Sequence, residues 1–471
     1  MNPSTPFVGI TVMSPHFQNE GVEAVLDNIC RRAGATAVAC NTSVTAAAKE
    51  GEGSFDPPDD AGASVRLLDR PLWAKRALWM RSGPGHHVRR AYFSGCPYQP
   101  RAANDLTESA GPIVGRFIDA AKQRGLKVYI QTGAVQPPGL LEQDVPRLPN
   151  GRLPKDRMAP AGSLASPAIR QYIRAWVRDV FEQYPDLDGI RPDWPEYPCY
   201  KLDEAFADFG PHAEAWAEAH GFSFQTIRRD VQRLHDHVHG KLTNEELAAL
   251  SDPDRTAAAM ERVVDVFAGA AEWLRLKAAL SVDLLNEYRR AITEYGGQNK
   301  ELAANAFPPP FSRLTGFDFA AATACCQSIA PKLYTMHWSL IVKFWSDELL
   351  AANPGVDETL LVSAIVNLLD LADAGEGGTR VEDYGYPEPD QAHPIPDAPQ
   401  SRKIRQAVQS AAGRTAIYPI AHAYGPLDDF RRRLKVIVDS PADGMWINRY
   451  GYLSDQKLNV IGELTRHAYG T

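Results

Sequence analysis

The sequence lacks the features of an exported or membrane-spanning protein. Residues Met1 to Met13 contain no basic stretch followed by a long apolar segment and a small-residue cleavage site, which a secretory signal requires. No run of about 18 apolar residues occurs in the chain, so no membrane-spanning helix is predicted. We therefore expect a cytoplasmic protein that has no membrane partner.

Cysteine is scarce, and its spacing matches no known pairing motif. None of the six cysteines forms the Cys-x-x-Cys spacing of redox motifs and many zinc sites. Most of them lie in apolar or strand-like segments, so we expect them to be reduced and buried, a disulfide or zinc role being the alternative. They are Cys30, Cys40, Cys96, Cys199, Cys325 and Cys326.

The chain also lacks an excess of basic residues. It has 50 Lys and Arg residues and 58 Asp and Glu residues, which gives a formal net charge of −8. It contains no basic block that could neutralise a row of phosphates. Nucleic acid is therefore not an expected partner, and an uncharged or weakly charged substrate fits the composition better.

The sequence does contain ample apolar material and a repeated structural unit. Hydrophobic residues make up 44% of the 471 residues, which is enough for a large packed core. In the clearest unit, Ser166 caps a predicted helix that Pro167 opens, and a glycine turn leads into a short strand that ends at Asp193. The same order of helix, glycine turn, strand and polar tip recurs at residues 113–131 and 430–449.

Repeated strand-then-helix units with short turns predict parallel strands joined by right-handed crossovers. Eight such strands close naturally into an α/β fold of the (β/α)8 TIM barrel type, and a doubly wound open sheet is the alternative. We predict one catalytic domain over residues 1–471, with long βα-loop excursions at 43–110, 132–164, 195–270 and 374–400. The predicted strands are residues 6–13, 36–41, 126–131, 188–193, 300–305, 330–336, 415–420 and 444–449.

Every predicted strand ends in or just before a polar group that can form hydrogen bonds. In a barrel these groups meet at the carboxyl ends of the strands, where barrel enzymes build their sites. Amides, imidazoles and aromatic rings suit a hydroxyl-rich ligand, whereas the alternative interpretation is a set of solvated loop starts. The predicted substrate-binding residues are His16, Asn41, Gln131, Arg191, Trp194, Tyr197, Asn305, His337, Trp338, His422, Asn448 and Arg449.

Asp193 and Glu196 are the predicted catalytic pair. Cleavage of a glycosidic bond requires one carboxylate that attacks or activates water and a second, protonated carboxyl group that donates to the leaving oxygen. Arg191 shares a strand face with Asp193, so its charge would keep that carboxylate ionised. Glu196 lies among aromatic residues and prolines, where desolvation would raise its pKa. The alternative is an Arg–Asp ion pair inside the barrel and a surface Glu.

The segment from Asp188 to Pro198 resembles two families of barrel glycoside hydrolases. Its Gly-x-Arg-x-Asp spacing is similar to the fourth strand of the α-amylase family, and its Asp-Gly-x-x-x-Asp-Trp with a nearby Glu-Tyr-Pro resembles the chitinase family. The order of elements also resembles a group of little-characterised hypothetical glycosidases. The α-amylase resemblance implies that Asp193 is the nucleophile and that Arg191 holds it ionised.

The α-amylase pattern has a Glu at the end of the fifth strand, where this chain has Asn305. The proton donor must therefore come from elsewhere. Glu196 is the predicted donor, and Asp318, Asp383 and Asp455 on later loops are the alternatives.

The predicted function is hydrolysis of a small oligosaccharide or glycoside by these paired carboxylates, without a metal or cofactor. Two alternatives remain open. In a metal-dependent sugar isomerase, epimerase or lyase, His337 and His422 would join Asp193 or Glu196 as ligands. In a sugar-binding protein the same cleft would bind without catalysis. The expected partner is a carbohydrate, and a homo-oligomer is compatible with the sequence.

Overall fold

The computed structural model describes residues 6–58 and 65–469, and its centre is a closed parallel barrel of eight strand positions. In chain order the strands are β1 (Phe7–Thr11), β2 (Ala37–Cys40), β3 (Ser43–Ala47), β4 (Ser54–Asp56), β5 (Leu78–Pro84), β6 (Lys127–Gly133), β7 (Gly189–Asp193), β8 (Glu301–Ala306), β9 (Ser328–Leu333), β10 (Ala416–Ile417), β11 (Ile420–His422) and β12 (Gly444–Asn448).

The barrel closes because β1 pairs in parallel with both β2 and β12. The remaining pairs run β2–β6–β7–β8–β9, and β9 and β12 both pair with β11. This closure confirms the predicted (β/α)8 barrel and excludes the open sheet. The seventh position is divided into β10 and β11, and Pro419, which has no N–H to donate to a neighbouring strand, lies in the gap.

Helices surround the barrel. They are α1 (Ser14–Asn19), α2 (Val22–Asp27), α3 (Asp105–Ala110), α4 (Ile113–Gln123), α5 (Pro167–Gln183), α6 (Leu202–Ala205), α7 (Pro211–Ala219), α8 (Phe224–Val238), α9 (Asn244–Leu250), α10 (Pro253–Val266), α11 (Gly269–Tyr295), α12 (Phe311–Thr315), α13 (Phe319–Ala322), α14 (Thr335–Ala352), α15 (Glu358–Leu368), α16 (Asp397–Ala411), α17 (Leu427–Val438) and α18 (Asp455–Tyr469). None of the described helices combines the length and apolar character that crossing a membrane requires.

The local signals at helix ends agree with the structure. The Ser166 hydroxyl accepts a hydrogen bond from the backbone N–H of Ile169 at 3.2 Å, and Pro167 occupies the first position of α5, as predicted. Gly125 follows α4 with a φ of +76°, a left-handed conformation that glycine adopts without steric cost. The strands β6 and β7 pair in parallel, with Gln131 opposite Arg191 and Gly133 opposite Asp193.

The sixth barrel strand lies earlier in the chain than predicted. The structure has β9 at Ser328–Leu333, and α14 begins at Thr335, so His337 and Trp338 lie in the first turn of a helix. The prediction placed them at a strand tip because the apolar pattern continues across the strand–helix boundary. All eight predicted strands, including the sixth, overlap observed ones.

Two of the excursions carry their own secondary structure. In residues 43–110, β3, β5 and β4 form an antiparallel three-stranded sheet. Residues 195–270 contain α6 to α10. Residues 374–400 were predicted to be a long loop excursion, and Tyr384, Tyr386 and His393 within them are buried. Five of the cysteines are buried as predicted, whereas Cys30 is half-buried.

Gly9 on β1 should not tolerate a larger residue. A Cβ atom at this position would lie 2.3 Å from the indole ring of Trp446, which is itself 1% exposed. We predict that Gly9→Ala lowers the free energy of unfolding by about 1–3 kcal/mol, as overpacking commonly does. Gly355→Ala is the control, since nothing lies within 4 Å of a Cβ there. Urea unfolding of both variants checks the prediction, and equal stabilities would contradict it.

Candidate active site

Asp193 is the last residue of β7, and its carboxylate forms an ion pair with Lys332 of β9. The Lys332 Nζ donates to Asp193 Oδ1 at 3.0 Å. The Lys332 side chain is 2% exposed and that of Asp193 is 18% exposed. The ammonium group also lies 4.4 Å from the ring centre of Trp194 and 5.0 Å from that of Phe307. The pair therefore presents one carboxylate at the mouth of the barrel, with its counter-ion beneath the surface.

Arg191 bonds to Asn305 and forms no ion pair with Asp193. Its Nη2 donates to Asn305 Oδ1 at 2.8 Å, and its guanidinium lies 3.5 Å from the ring centre of Trp446. Burial lowers the pKa of Arg191 to about 9, and the charge of Asp193 opposes this fall, so the two charges interact. Lys332 supplies the ion-pair partner of Asp193, and the role of Arg191 in keeping that carboxylate ionised stays a prediction.

Glu196 is held inside the protein, three residues beyond Asp193. Its Oε1 accepts the backbone N–H of Phe307 at 2.7 Å, and its Oε2 accepts the hydroxyl of Thr315. The side chain has no exposed surface. Burial raises the pKa of Glu196 to about 7, although the charge of Lys332 and the two hydrogen bonds oppose this rise. The direction of the shift is the one that the sequence predicts.

The three alternative proton donors are engaged elsewhere. Asp318 is exposed and caps α13, where it accepts the backbone N–H groups of Ala320 and Ala321. Asp383 is exposed and accepts two backbone N–H groups of its own loop. Asp455 is exposed and forms an ion pair with Arg70 at 2.6 Å. None of these contacts places them beside Asp193.

Two of the predicted binding residues are packing residues. Tyr197 is 2% exposed, and its hydroxyl donates to Asp208 at 3.3 Å, away from the barrel mouth. Trp338 is 1% exposed and packs against Phe311 and Lys403. An aromatic residue that follows a strand can turn toward the surrounding helices as easily as toward the mouth, and a role of these two residues in substrate binding stays a prediction.

Two of the three imidazoles at the mouth, His16 and His422, are buried, and the pKa of all three is lowered. Burial lowers the pKa of His16 to about 3, and it lowers the pKa of His422 well below its ordinary value. The ring of His422 packs against Tyr334 and Tyr452. Burial likewise lowers the pKa of His337, whose ring packs against Tyr334 and is half-buried. Neutral imidazoles can exchange hydrogen bonds with hydroxyl groups.

The remaining predicted residues lie on the strands or loops that form the mouth. Asn305 is buried, and Gln131 and Asn448 are half-buried. The half-buried Asn41 donates to the Ser43 hydroxyl at 2.9 Å. Arg449 donates to Asp56 of β4 at 2.9 Å.

Three residues at the mouth, Lys332, Tyr334 and Asp56, were not predicted from the sequence. Lys332 is the one charged residue of β9, and that isolated charge is the signal that could have identified it. Tyr334 is buried and packs against both His337 and His422. Asp56 reaches Arg449 because the three-stranded sheet folds over the mouth. No local sequence pattern indicates a contact such as that of Asp56 with Arg449, because the two residues lie so far apart in the chain.

A cavity of about 590 Å³ adjoins the mouth on the side of β2 and β6. It is lined by residues at the ends of these strands, including Gly133, which is the register partner of Asp193. Tyr172 and Trp176 of α5 supply apolar surface. Asp193 and Glu196 do not line this cavity.

Within the described ranges, neither His337 nor His422 belongs to a group of three closely spaced metal-donor side chains. Such a group does exist at Asp203, His235 and His239, on helices of the 195–270 excursion. The predicted ligand set of the metal-dependent alternative is therefore not assembled at the mouth.

The burial of Glu196 predicts a pH-dependent stability. Its pKa rises from 4.5 to about 7 on folding, so its contribution to stability is present below pH 4.5 and is lost as the pH rises through 7. In Glu196→Gln the side chain does not titrate, so the free energy of unfolding does not fall with pH through this group. The amide can still accept from the Phe307 N–H and donate to the Thr315 hydroxyl. We predict that the free energy of unfolding of Glu196→Gln, relative to the parent, rises by up to about 3 kcal/mol between pH 5 and 8.

Denaturant unfolding at several pH values measures this difference. Glu376→Gln, at an exposed position, is the matched control and should show no such trend. A difference between Glu196→Gln and the parent that stays constant from pH 5 to 8 would contradict the prediction.

Comparison with known proteins identifies the fold. No protein-family model matches the chain, and no curated protein matches it. Among solved structures, the chain is similar to the β-galactosidase from the psychrophilic Marinomonas ef1, with a TM-score of 0.51 and 11% identity over 98% of this chain and 59% of that one. The chain thus spans 59% of the length of that β-galactosidase.

Two further solved structures are similar over nearly their whole length. The catalytic domain of β-amylase from Paenibacillus polymyxa has a TM-score of 0.47 and 9% identity over 96% of this chain and 94% of that one. The Group IV chitinase from Ostrinia furnacalis has a TM-score of 0.42 and 10% identity over 98% and 99%. At 11% identity, the likeness to the β-galactosidase establishes a shared barrel fold.

Proposed function

We propose that this chain is a glycoside hydrolase whose reacting carboxylate is Asp193. The observation that carries the proposal is the Lys332–Asp193 pair, which presents one carboxylate group beside a lysine at the carboxyl end of a barrel strand, where barrel enzymes build their sites. A solved structure that shares this fold is a β-galactosidase, which supports the same class of reaction. The proposed substrate is a small oligosaccharide or glycoside in the cytoplasm.

In this proposal Asp193 attacks the anomeric carbon or activates a water molecule, and Glu196 donates a proton to the leaving oxygen. A carboxyl group with a pKa of about 7 keeps much of its proton at neutral pH, as a general acid must. Lys332 stabilises the charge of Asp193 before the reaction. Glu196 has to gain access to the substrate, and the two groups that hold it, Phe307 and Thr315, belong to the loop after β8 and to α12.

Substrate binding would rely on the groups around Asp193 that retain exposed surface. Trp194, Gln131 and Asn448 are half-buried at the strand ends, and His337 lies in the first turn of α14. Indole and imidazole rings pack on the apolar faces of sugars, and amides bind their hydroxyl groups. The adjoining cavity beside α5 could accept further sugar units, which suits an oligosaccharide.

One observation favours a second candidate, a sugar-binding barrel without catalysis. Both carboxylate oxygens of Glu196 are bonded to protein donors, and the side chain has no exposed surface. If Glu196 only stabilises the loop after β8 and α12, Asp193 would bind a sugar hydroxyl, and no proton donor would be available for cleavage.

We predict that Asp193→Asn lowers kcat on a hydrolysed aryl glycoside by at least about a hundredfold, since it removes the reacting charge and keeps the side-chain volume. The Asn oxygen can still accept from Lys332, so the melting temperature should change by only a few degrees. Asp186→Asn, an exposed position preceding the same strand, is the control. Turnover of both variants on a panel of aryl glycosides measures the effect, and near-full activity of Asp193→Asn would overturn the assignment.

Glu196→Ala separates the two candidates. If Glu196 is the proton donor, the variant should retain far more activity on glycosides with good leaving groups than on natural glycosides, because good leaving groups need little protonation. The ratio of kcat/KM on the two substrate classes is the measurement. A variant that is equally slow on both would assign Glu196 a positioning role. A parent protein that binds sugars and hydrolyses none would favour the sugar-binding barrel.

A further inference from the structure

A cluster of metal-donor side chains lies in the 195–270 excursion, separate from the proposed active site. Asp203 belongs to α6, His235 to α8, and His239 directly follows α8. One donor atom from each of these residues lies within 4.8 Å of the others. The two histidines are four positions apart, which places them on one face of the helix with their rings stacked at 4.1 Å.

The distances suit a single small cation. Asp203 Oδ1 lies 3.3 Å from His235 Nε2 and 4.0 Å from His239 Nε2. Two ligand atoms that each lie about 2.0–2.1 Å from a tetrahedral zinc ion are separated by about 3.4 Å. The donors therefore need only small side-chain rotations to share one ion. Glu348 of α14 contacts only His239 of the three, with its Oε1 2.9 Å from His239 Nε2, and it is not one of the three mutually close donors.

The hydrogen bonding of His239 orients its ring as in metal sites. Its Nδ1 lies 2.9 Å from the backbone carbonyl oxygen of His235, and because a carbonyl only accepts, Nδ1 must carry a hydrogen. The Nε2 atom then faces the carboxylates of Asp203 and Glu348. A backbone carbonyl that fixes the second ring nitrogen is the usual companion of a metal-ligating histidine.

The three side chains of the cluster are partly shielded from solvent. The side chains of Asp203, His235 and His239 are between 12% and 18% exposed. Phe206 packs its ring edge-on against both imidazoles, with centroid distances of 5.0 and 6.1 Å. An apolar neighbour of this kind excludes water from one side of a metal site and strengthens binding.

We propose that Asp203, His235 and His239 bind one divalent cation of the zinc class. Two imidazoles and one carboxylate are a donor set that Zn²⁺ accepts, whereas Mg²⁺ and Ca²⁺ prefer oxygen alone. The ion joins α6 to the C-terminal end of α8. Its role is structural, because neither of the proposed reacting carboxylates, Asp193 and Glu196, belongs to the cluster.

The test uses the full-length chain without a histidine tag, stripped with a chelator and titrated with Zn²⁺ by calorimetry. We expect one Zn²⁺ per chain. His235→Ala and His239→Ala should each weaken binding by at least about tenfold, because loss of a ligand costs no less than loss of a second-shell partner. His237→Ala is the matched control, since it removes a histidine of the same helix that pairs instead with Glu246 at 2.9 Å.

Thermal unfolding provides a second readout that does not depend on activity. Saturating Zn²⁺ should raise the Tm of the parent and of His237→Ala, but not that of His235→Ala or His239→Ala. Circular dichroism at low temperature shows whether each variant is folded. The proposal is overturned if the parent binds no Zn²⁺ at stoichiometric level, in which case the cluster holds only protonated ion pairs. It is also overturned if His237→Ala loses binding as much as the other two variants do.

Discussion

The ion pair between Lys332 and Asp193 determines how the mouth of this barrel is built. A lysine with 2% exposed surface is costly to bury unless a carboxylate and polarisable groups compensate its charge. Asp193 supplies that carboxylate at 3.0 Å, and the rings of Trp194 and Phe307 flank the ammonium group. The residues that follow β7 and β8 are therefore fixed around a single buried cation. The same charge acts on Glu196 and keeps its pKa from rising further.

The two carboxyl groups after β7 occupy different environments for a physical reason. Asp193 lies at the end of the strand, retains exposed surface and has a cation beside it. Glu196 is enclosed by the loop after β8 and by α12, so burial dominates its ionisation. Glycosidic cleavage requires one ionised carboxylate and one carboxyl group that holds its proton. Here the different environments of the two groups arise from their different depths in the protein and not from the residue type.

The fold could be predicted from the sequence because each barrel unit repeats local signals. Ser166, Pro167 and Gly125 mark helix ends through their own backbone chemistry, and these signals do not depend on distant residues. Asp193 was predicted at the end of its strand for the same reason. The boundary of β9 was misplaced because no turn residue separates the strand from α14.

The pairing of charges could not be predicted in this way. Arg191 shares a strand face with Asp193, yet it bonds to Asn305, and Asp193 pairs with Lys332 at a separation of 139 positions. Contacts of this kind depend on which side chains a closed barrel brings together at its centre, and several arrangements satisfy the same sequence pattern. The metal-donor cluster of Asp203, His235 and His239 could not be predicted for a similar reason, because its carboxylate and its histidines belong to different helical segments.

The most direct test of this account is a crystal structure of the protein soaked with monosaccharides such as glucose, galactose and N-acetylglucosamine. The account predicts a sugar at the barrel mouth whose anomeric carbon faces the Asp193 carboxylate, either in contact with it or separated by one water molecule. The Lys332–Asp193 pair should stay intact in the complex. A sugar bound only in the cavity beside α5, with Asp193 untouched, would contradict the account.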